Sequence, residues 1–197
     1  MNNVIIETRN DKSMNAQNNR FDGLSIAFHW VVAIAYWGLF ALGAYMVTLG
    51  YYDPLYTTLP YWHKGLGVML IFVVLARLIW RLFSSRPDPL PEHKRYQVIG
   101  ARFAQWSMSI GLIIVLVSGY LITTSAGAGI DVLGVFTLAA IDTSLNNQED
   151  LAGLVHWVAS YIVLGLATIH GLAALKHHFI DKDKTLKRIL PAFQSDN

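Results

Sequence analysis

Residues 154–171, LVHWVASYIVLGLATIHG, form an apolar stretch of membrane-spanning length that carries two histidines, His156 and His170. The two histidines are 14 residues apart. This interval is close to four helical turns, so both rings should leave the same helix face, about 21 Å apart along the axis. Because the hydrocarbon of a bilayer is about 30 Å thick, this face would present one imidazole near each membrane surface.

The composition places the whole chain in the membrane class. Of the 197 residues, 54% are hydrophobic and only 14% are charged, whereas soluble domains have about 25% charged residues. Membrane lipid is therefore the expected surrounding, and nucleic acid is not an expected partner. The absence of cysteine excludes a disulfide framework, a thiolate zinc site, an iron–sulfur cluster and covalent attachment of a c-type haem.

Four apolar stretches predict an all-α fold, an integral membrane four-helix bundle. The predicted spans are about 24–49, 62–83, 103–124 and 151–175.

The rest of the chain is polar or loop-like. Residues 1–20 are rich in asparagine and predict a disordered N-terminal segment. Residues 21–180 are expected to form the transmembrane domain, and residues 181–197 a polar, basic tail. Residues 125–153 form the longest connection, and their apolar part, Val132–Ile141, predicts a short helix lying at the membrane interface.

The distribution of lysine and arginine predicts that both termini are cytoplasmic. Fourteen of the 15 lysines and arginines fall in the N-terminal segment, around the connection between spans two and three, or around the C-terminal tail. Only Lys64 falls on the other side. Cytoplasmic loops carry such an excess of positive residues, so the ends of the spans can be assigned to an inner and an outer level.

Four histidines then fall at two depths. His29 and His170 lie near the inner edge, and His63 and His156 near the outer edge, so each level combines span four with a second helix. An ionisable group inside a bilayer is costly and usually faces the bundle interior or marks a pathway or a cofactor. Any one of these histidines alone could be a hydrogen-bonded packing residue, but the matched depths of all four favour a shared function.

Haem is the cofactor that suits this arrangement. Imidazole is the commonest metal ligand, yet the two histidines of span four are too far apart to share one ion. Two separate sites with two nitrogens each suit haem iron, because the porphyrin supplies the four equatorial ligands. Four-helix bundles commonly hold cofactors between facing helices. The expected ligand pairs are His29 with His170 for the inner haem and His63 with His156 for the outer haem.

Two cationic residues are further candidates for cofactor binding. Arg77 follows His63 by 14 residues and should lie beside the inner level. There it would pair with a haem propionate or a quinone headgroup, or simply snorkel to the membrane surface. Lys64 could meet an outer propionate or an anionic substrate, or be an ordinary interfacial lysine. The remaining histidines are expected to be solvated outside the hydrocarbon: His93, His177 and His178.

Four segments together resemble the bacterial cytochrome b561 family: FDGLSIAFHW (21–30), LPYWHKGLGVMLIFVVLARLIWRLF (59–83), LVHWVASYIVLGLATIHGLAALKHHF (154–179) and DKTLKRILP (183–191). The resemblance implies a four-helix protein of the bacterial cytoplasmic (inner) membrane with two haem b groups. It also implies ligation by the same four histidines in the same pairs. Many members have a further histidine near the start of the third span, whereas residues 101–107 read ARFAQWS here.

The function implied by this resemblance is electron transfer between the quinone pool, with ubiquinone as the expected partner, and a periplasmic donor or acceptor. Superoxide is one such donor, since at least one family member is similar to a superoxide oxidase. The alternative is a membrane-anchoring cytochrome b subunit of a periplasmic or peripheral dehydrogenase, which would need a docking partner. A proton or metal transporter would require intramembrane carboxylates, and the four spans have none well inside.

Overall fold

The computed structural model describes residues 21–85, 87–141 and 146–190, and most of these lie in four long helices. The helices are α1 Gly23–Met46, α2 Thr58–Phe83, α3 Arg95–Thr124 and α4 Gln148–Phe179. Each is long and apolar enough to cross a membrane, so the predicted all-α four-helix membrane fold is confirmed. Both α3 and α4 begin before the predicted spans and α4 continues beyond Leu175, since polar helix-forming residues prolong a helix past its apolar part.

The helices are antiparallel neighbours in chain order, which gives the bundle two distinct ends. The start of α1 contacts the end of α2 through Asp22 and Ser84, and the segment after α4 returns to the start of α1. We call this the termini end. The opposite end carries the connection between α1 and α2 and the connection between α3 and α4, and we call it the hairpin end.

The interior of the bundle is small and apolar. In the most apolar window of each helix, only between 6% and 22% of the residues are buried inside the protein. Many of the other apolar side chains are exposed on the outside of the bundle, as expected of helices that span a membrane. The central cluster consists of Val32, Tyr36, Leu70, Val74, Leu112, Val115 and Val163. Helices α3 and α4 approach closely at Gly111, where an added Cβ would lie 2.5 Å from Val163 Cγ2, as expected for small residues at membrane helix crossings.

The connection between α3 and α4 contains a β-hairpin, and the predicted interfacial helix over Val132–Ile141 is wrong. Strand β1 (Ile130–Val132) pairs antiparallel with β2 (Phe136–Leu138). The turn places Leu133 at φ 54° and Gly134 at φ 73°, and the Val135 amide donates to the Val132 carbonyl at 3.0 Å. These are the features of a type I′ turn, which joins strands and cannot continue a helix.

The hairpin folds over the bundle because its alternating side chains are apolar on one face. Ile130 and Val132 are buried and pack with Val68 of α2, while Asp131 between them is exposed. Gly65 permits this approach, since an added Cβ would lie 2.7 Å from Leu133 Cδ2. The hairpin therefore covers the start of α2.

Asp22 holds the termini end together. Its carboxylate caps α1 by accepting from the Ser25 amide at 2.8 Å. It also accepts from the Trp80 indole at 3.1 Å and from the Ser84 hydroxyl at 2.7 Å, both at the end of α2. Desolvation raises the pKa of Asp22, but the hydrogen bonds from Ser25, Ser84 and Trp80 outweigh it and hold the pKa well below its usual range.

Replacing Asp22 by alanine should destabilise the protein by about 1–2 kcal/mol, since it removes a helix cap and two partners of α2. The folded pKa is depressed, so this contribution is complete above the ordinary carboxyl pKa of about 3.9 and is lost as the pH falls below it. Thermal unfolding in detergent between pH 3 and pH 7 measures both effects. Asp22→Asn, which keeps one acceptor oxygen, should lose less stability and show no such pH dependence. Equal melting temperatures for the unchanged protein, Asp22→Ala and Asp22→Asn would contradict the stabilising role of Asp22.

The described part of the predicted tail, residues 181–190, packs on the termini end. It contains one turn of 3-10 helix, Leu186–Arg188. The Trp30 indole of α1 donates to the Ile189 carbonyl at 2.8 Å, and the Arg188 guanidinium donates to the Asp88 carbonyl at 2.9 Å. The tail thereby joins α1 to the connection between α2 and α3.

Candidate functional site

At the hairpin end, His63 of α2 and His156 of α4 face each other. Their ring centroids are 6.3 Å apart and their planes make an angle of 80°. Both rings line one interior cavity of about 400 Å³, which falls within the size range of cofactor and ligand pockets. The separation leaves room for one metal atom bonded to both rings at about 2 Å each. The structure therefore brings together the two histidines predicted for the outer level.

The Nδ1 atom of His156 has a hydrogen-bond partner, as is usual for a histidine whose other ring nitrogen binds a metal. Nδ1 lies 2.9 Å from the Val115 carbonyl oxygen and 3.4 Å from the Ser118 hydroxyl. A carbonyl acceptor at Nδ1 fixes the tautomer with its hydrogen on that nitrogen and leaves the Nε2 lone pair free. His63 Nδ1 is buried and forms no well-oriented hydrogen bond with the described residues, although the Leu39 backbone lies beside it.

Two glycines make room for the two rings. An added Cβ at Gly43 of α1 would lie 3.0 Å from His63 Cε1, and one at Gly119 of α3 would lie 2.9 Å from His156 Cε1. Gly119 also lines the cavity. All four helices thus contribute to the site. Helices α2 and α4 each supply a histidine, and α1 and α3 each supply a glycine that lies against one of these two rings.

The sequence did not single out these two glycines, because glycine is common in membrane helices and neither has a histidine neighbour on its own helix. Four glycines of α2 and α4 behave differently. Gly65 faces Leu133, and Gly67, Gly165 and Gly171 have no other atom within 4 Å of an added Cβ. Gly67 nevertheless lines the cavity.

At the termini end, His29 of α1 lies within electrostatic range of His170 of α4 and of Arg77 of α2. All three side chains are half-buried. Arg81, one turn beyond Arg77, interacts with it electrostatically and lies over the Trp106 ring at 4.9 Å. Among the described residues no carboxylate forms an ion pair with Arg77, so the histidine pair is accompanied by positive charge that suits an anionic group.

Lys64 lies at the other histidine pair. It is exposed and contributes to the lining of the hairpin-end cavity, as does Glu149 at the start of α4. The two opposite charges at the same cavity leave its rim without a strong net charge.

His93 and His177 do not lie free in solvent, so that prediction is wrong. His93 Nε2 is 3.0 Å and His177 Nδ1 is 2.9 Å from Asp183 Oδ2. Burial raises the pKa of Asp183, but hydrogen bonds from His93 and Thr185 and the nearby His177 lower it to about 2. His178 is also half-buried, with its ring 4.8 Å from that of Phe179. The sequence-based prediction failed because residues 181–185 fold back onto the end of α4.

Four membrane-spanning helices with paired histidines inside the bundle define the class of membrane-embedded b-type cytochromes. The chain belongs to the prokaryotic cytochrome b561 family, whose pattern matches residues 20–192. Membership implies haem b binding and electron transfer, and it places the chain among multi-pass bacterial membrane proteins.

Three relatives cover nearly the whole chain. Cytochrome b561 homolog 2 of Escherichia coli (strain K12) is 42% identical over 177 residues, covering 90% of this chain and 94% of the relative. Cytochrome b561 homolog 1 of the same organism is 27% identical over 180 residues, with 88% and 98% covered. Probable superoxide oxidase CybB of Yersinia pestis is 25% identical over 179 residues, with 88% and 97% covered. The resemblance seen in the sequence is thereby confirmed.

Proposed function

We propose that this chain is a di-haem cytochrome b that carries electrons between the two surfaces of the membrane. In this proposal His63 and His156 hold one haem iron and His29 and His170 hold the other. The observation that carries it is the histidine pair across the hairpin-end cavity, with a glycine against each ring. Haem supplies reversible one-electron chemistry when bound.

The residues of the chain set the conditions for that chemistry. The Val115 carbonyl orients His156, and the hairpin residues Ile130 and Val132 pack over α2 beside the cavity. At the termini end, Arg77 would neutralise a propionate or hold a quinone headgroup. Spacing, ligation and exclusion of water are what a protein contributes around a redox cofactor.

We propose an orientation with both termini in the cytoplasm, supported by the positive residues concentrated at the termini end. The hairpin-end haem would then exchange electrons with a periplasmic redox partner, and ubiquinone would be the partner in the membrane. Superoxide is the candidate donor because one relative is named a probable superoxide oxidase. Because Glu149 and Lys64 both line the cavity, its rim has no strong attraction for an anion.

The haem content tests the first part of this proposal. Protein purified from haem-replete cells should show a reducible b-type spectrum with two haems per chain in a pyridine haemochrome assay. One haem per chain would refute the two-site arrangement. A colourless preparation from such cells would refute electron transfer altogether.

Stopped-flow kinetics test the partners. The oxidised protein should be reduced rapidly by superoxide, and the reduced protein should be reoxidised by a soluble ubiquinone. Reduction by ubiquinol but not by superoxide would instead favour the alternative, a membrane-anchoring subunit that passes electrons to or from a dehydrogenase. Co-purification of such a partner from native membranes would support that alternative directly.

Replacing Arg77 by glutamine should lower the midpoint potential of the termini-end haem by an amount on the order of tens of millivolts, because a positive charge near the iron favours the reduced state. Spectroelectrochemical titration of the two haems measures this shift. Lys64→Gln removes a positive charge at the opposite end and serves as the control, since it should leave that potential in place. Unchanged potentials in Arg77→Gln would show that this arginine lies outside the haem environment.

A further inference from the structure

A second group of metal-ligating side chains lies at the termini end, apart from the four intramembrane histidines. His93 precedes α3, His177 is in the last turn of α4, and Asp183 is in the segment that follows α4. One potential ligand atom from each lies within 4.8 Å of the others. The two imidazole rings are tilted by 42° with centroids 5.1 Å apart. Residues about 90 positions apart in the chain thus converge on one point.

The three side chains are largely shielded from solvent. The exposed fractions are 16% for His93, 17% for His177 and 9% for Asp183. The Thr185 amide donates to Asp183 Oδ1 at 2.8 Å, which fixes the carboxylate and turns Oδ2 towards both rings. A hydrogen bond that orients a ligand from behind is a recurrent feature of metal sites.

His177 Nδ1 shows an unusual environment. It lies 2.9 Å from Asp183 Oδ2 and 2.9 Å from Asp181 Oδ2, yet it forms no well-oriented hydrogen bond with either oxygen. A nitrogen that points at a metal ion would have this property, whereas His93 Nε2 meets Asp183 Oδ2 in a hydrogen bond of 3.0 Å that a bound ion would replace. Metal–ligand bonds of about 2 Å place neighbouring ligand atoms roughly 3 Å apart, which matches the contacts of Asp183 Oδ2 with His93 Nε2 at 3.0 Å and with His177 Nδ1 at 2.9 Å.

The surrounding charges allow a cation. The Lys176 ammonium lies 2.7 Å from Asp181 Oδ2, so that carboxylate already balances the charge of the lysine. Arg188 is a further cation near the site, and it lies within electrostatic range of three carboxylates, those of Asp88, Glu92 and Asp183.

We propose that His93, His177 and Asp183 bind a divalent cation, with zinc as the preferred ion. Two imidazole nitrogens and one carboxylate oxygen are ligands that zinc commonly takes in proteins. A water molecule would complete the tetrahedral coordination. Magnesium, which prefers oxygen ligands in an octahedral arrangement, should bind poorly.

The position of the ion gives it a structural role. His177 follows His170 by seven residues, so it lies on nearly the same face of α4, about 10 Å further along the axis. A bound ion would join the connection between α2 and α3 to the end of α4 and to the tail. It would thereby stabilise the termini end of the bundle beside His170.

The test uses the full-length, haem-loaded protein in detergent after chelation. Titration with zinc should give one site per chain by isothermal titration calorimetry and should raise the melting temperature, whereas magnesium should do neither. His177→Gln and Asp183→Asn should each weaken zinc binding at least tenfold. His178→Gln, which changes the adjacent histidine outside the group of three, should bind zinc like the unchanged protein.

Two outcomes would overturn the proposal. The first is a protein whose melting temperature does not respond to zinc and that shows no calorimetric site. The second is zinc binding that is equally strong in Asp183→Asn, His177→Gln and His178→Gln. If the three residues form only a histidine–carboxylate ion pair, Asp183→Asn should lower the melting temperature by the same amount with and without zinc.

Discussion

Replacing His156 by alanine should halve the haem content and leave the remaining haem with its own potential and spectrum. The ring lies across the cavity from His63, and in the proposed arrangement both imidazoles would hold the same haem, so the loss of either would weaken its binding. His63→Ala should remove the same haem. His29→Ala and His170→Ala should remove the other. Quantitative haemochrome assays combined with redox titration of each variant measure these losses.

The most specific part of this prediction is which two histidines share a haem. Double variants within a pair, such as His63→Ala with His156→Ala, should retain one haem, whereas double variants across pairs, such as His63→Ala with His170→Ala, should retain none. The opposite pattern would mean that the ligands are paired differently. His178→Ala serves as a control for a histidine change on α4 outside the pairs, and it should keep both haems.

Replacing Gly119 by alanine should lower the occupancy of the hairpin-end haem and alter the low-spin signal of that haem in electron paramagnetic resonance. The new Cβ would lie 2.9 Å from Cε1 of His156, a distance that a ring held at Nδ1 by the Val115 carbonyl can relieve only by turning. Gly43→Ala should act in the same way on His63, where the corresponding distance is 3.0 Å.

Each helix offers a matched control. Gly100→Ala on α3 and Gly38→Ala on α1 introduce the same methyl group where no other atom lies within 4 Å, so both should retain full occupancy and an unchanged signal. If all four variants behaved alike, the effect would belong to helix flexibility and not to contact with the rings. The termini-end haem is an internal reference in each case.

The fold and the two histidine levels were predictable because both depend on spacing along single helices. The 14-residue interval between His156 and His170 placed the rings on one face at opposite depths. The same interval from His63 predicted Arg77 at the level of His29, and the two side chains lie within electrostatic range of each other. Long apolar helices that cross a bilayer can be arranged in only a few ways. Side chains at the same depth on different helices are therefore good candidates to lie near one another.

Contacts between helices and turns of the loops were not predictable in this way. Gly43 and Gly119 act on rings of other helices, and a single sequence does not show which faces meet. The group of His93, His177 and Asp183 depends on a reversal of the chain after α4. Residues Val132–Ile141 were apolar enough for a helix, but the left-handed conformations of Leu133 and Gly134 produced a hairpin instead.

The small interior of the bundle has a consequence for how the protein is made. Few of its own side chains are buried between the helices, so the two proposed haems would be the largest apolar groups there. A chain inserted without cofactor would leave loosely packed helices that membrane proteases can attack. The cellular amount of this protein should therefore follow the supply of haem during synthesis, even when transcription is constant.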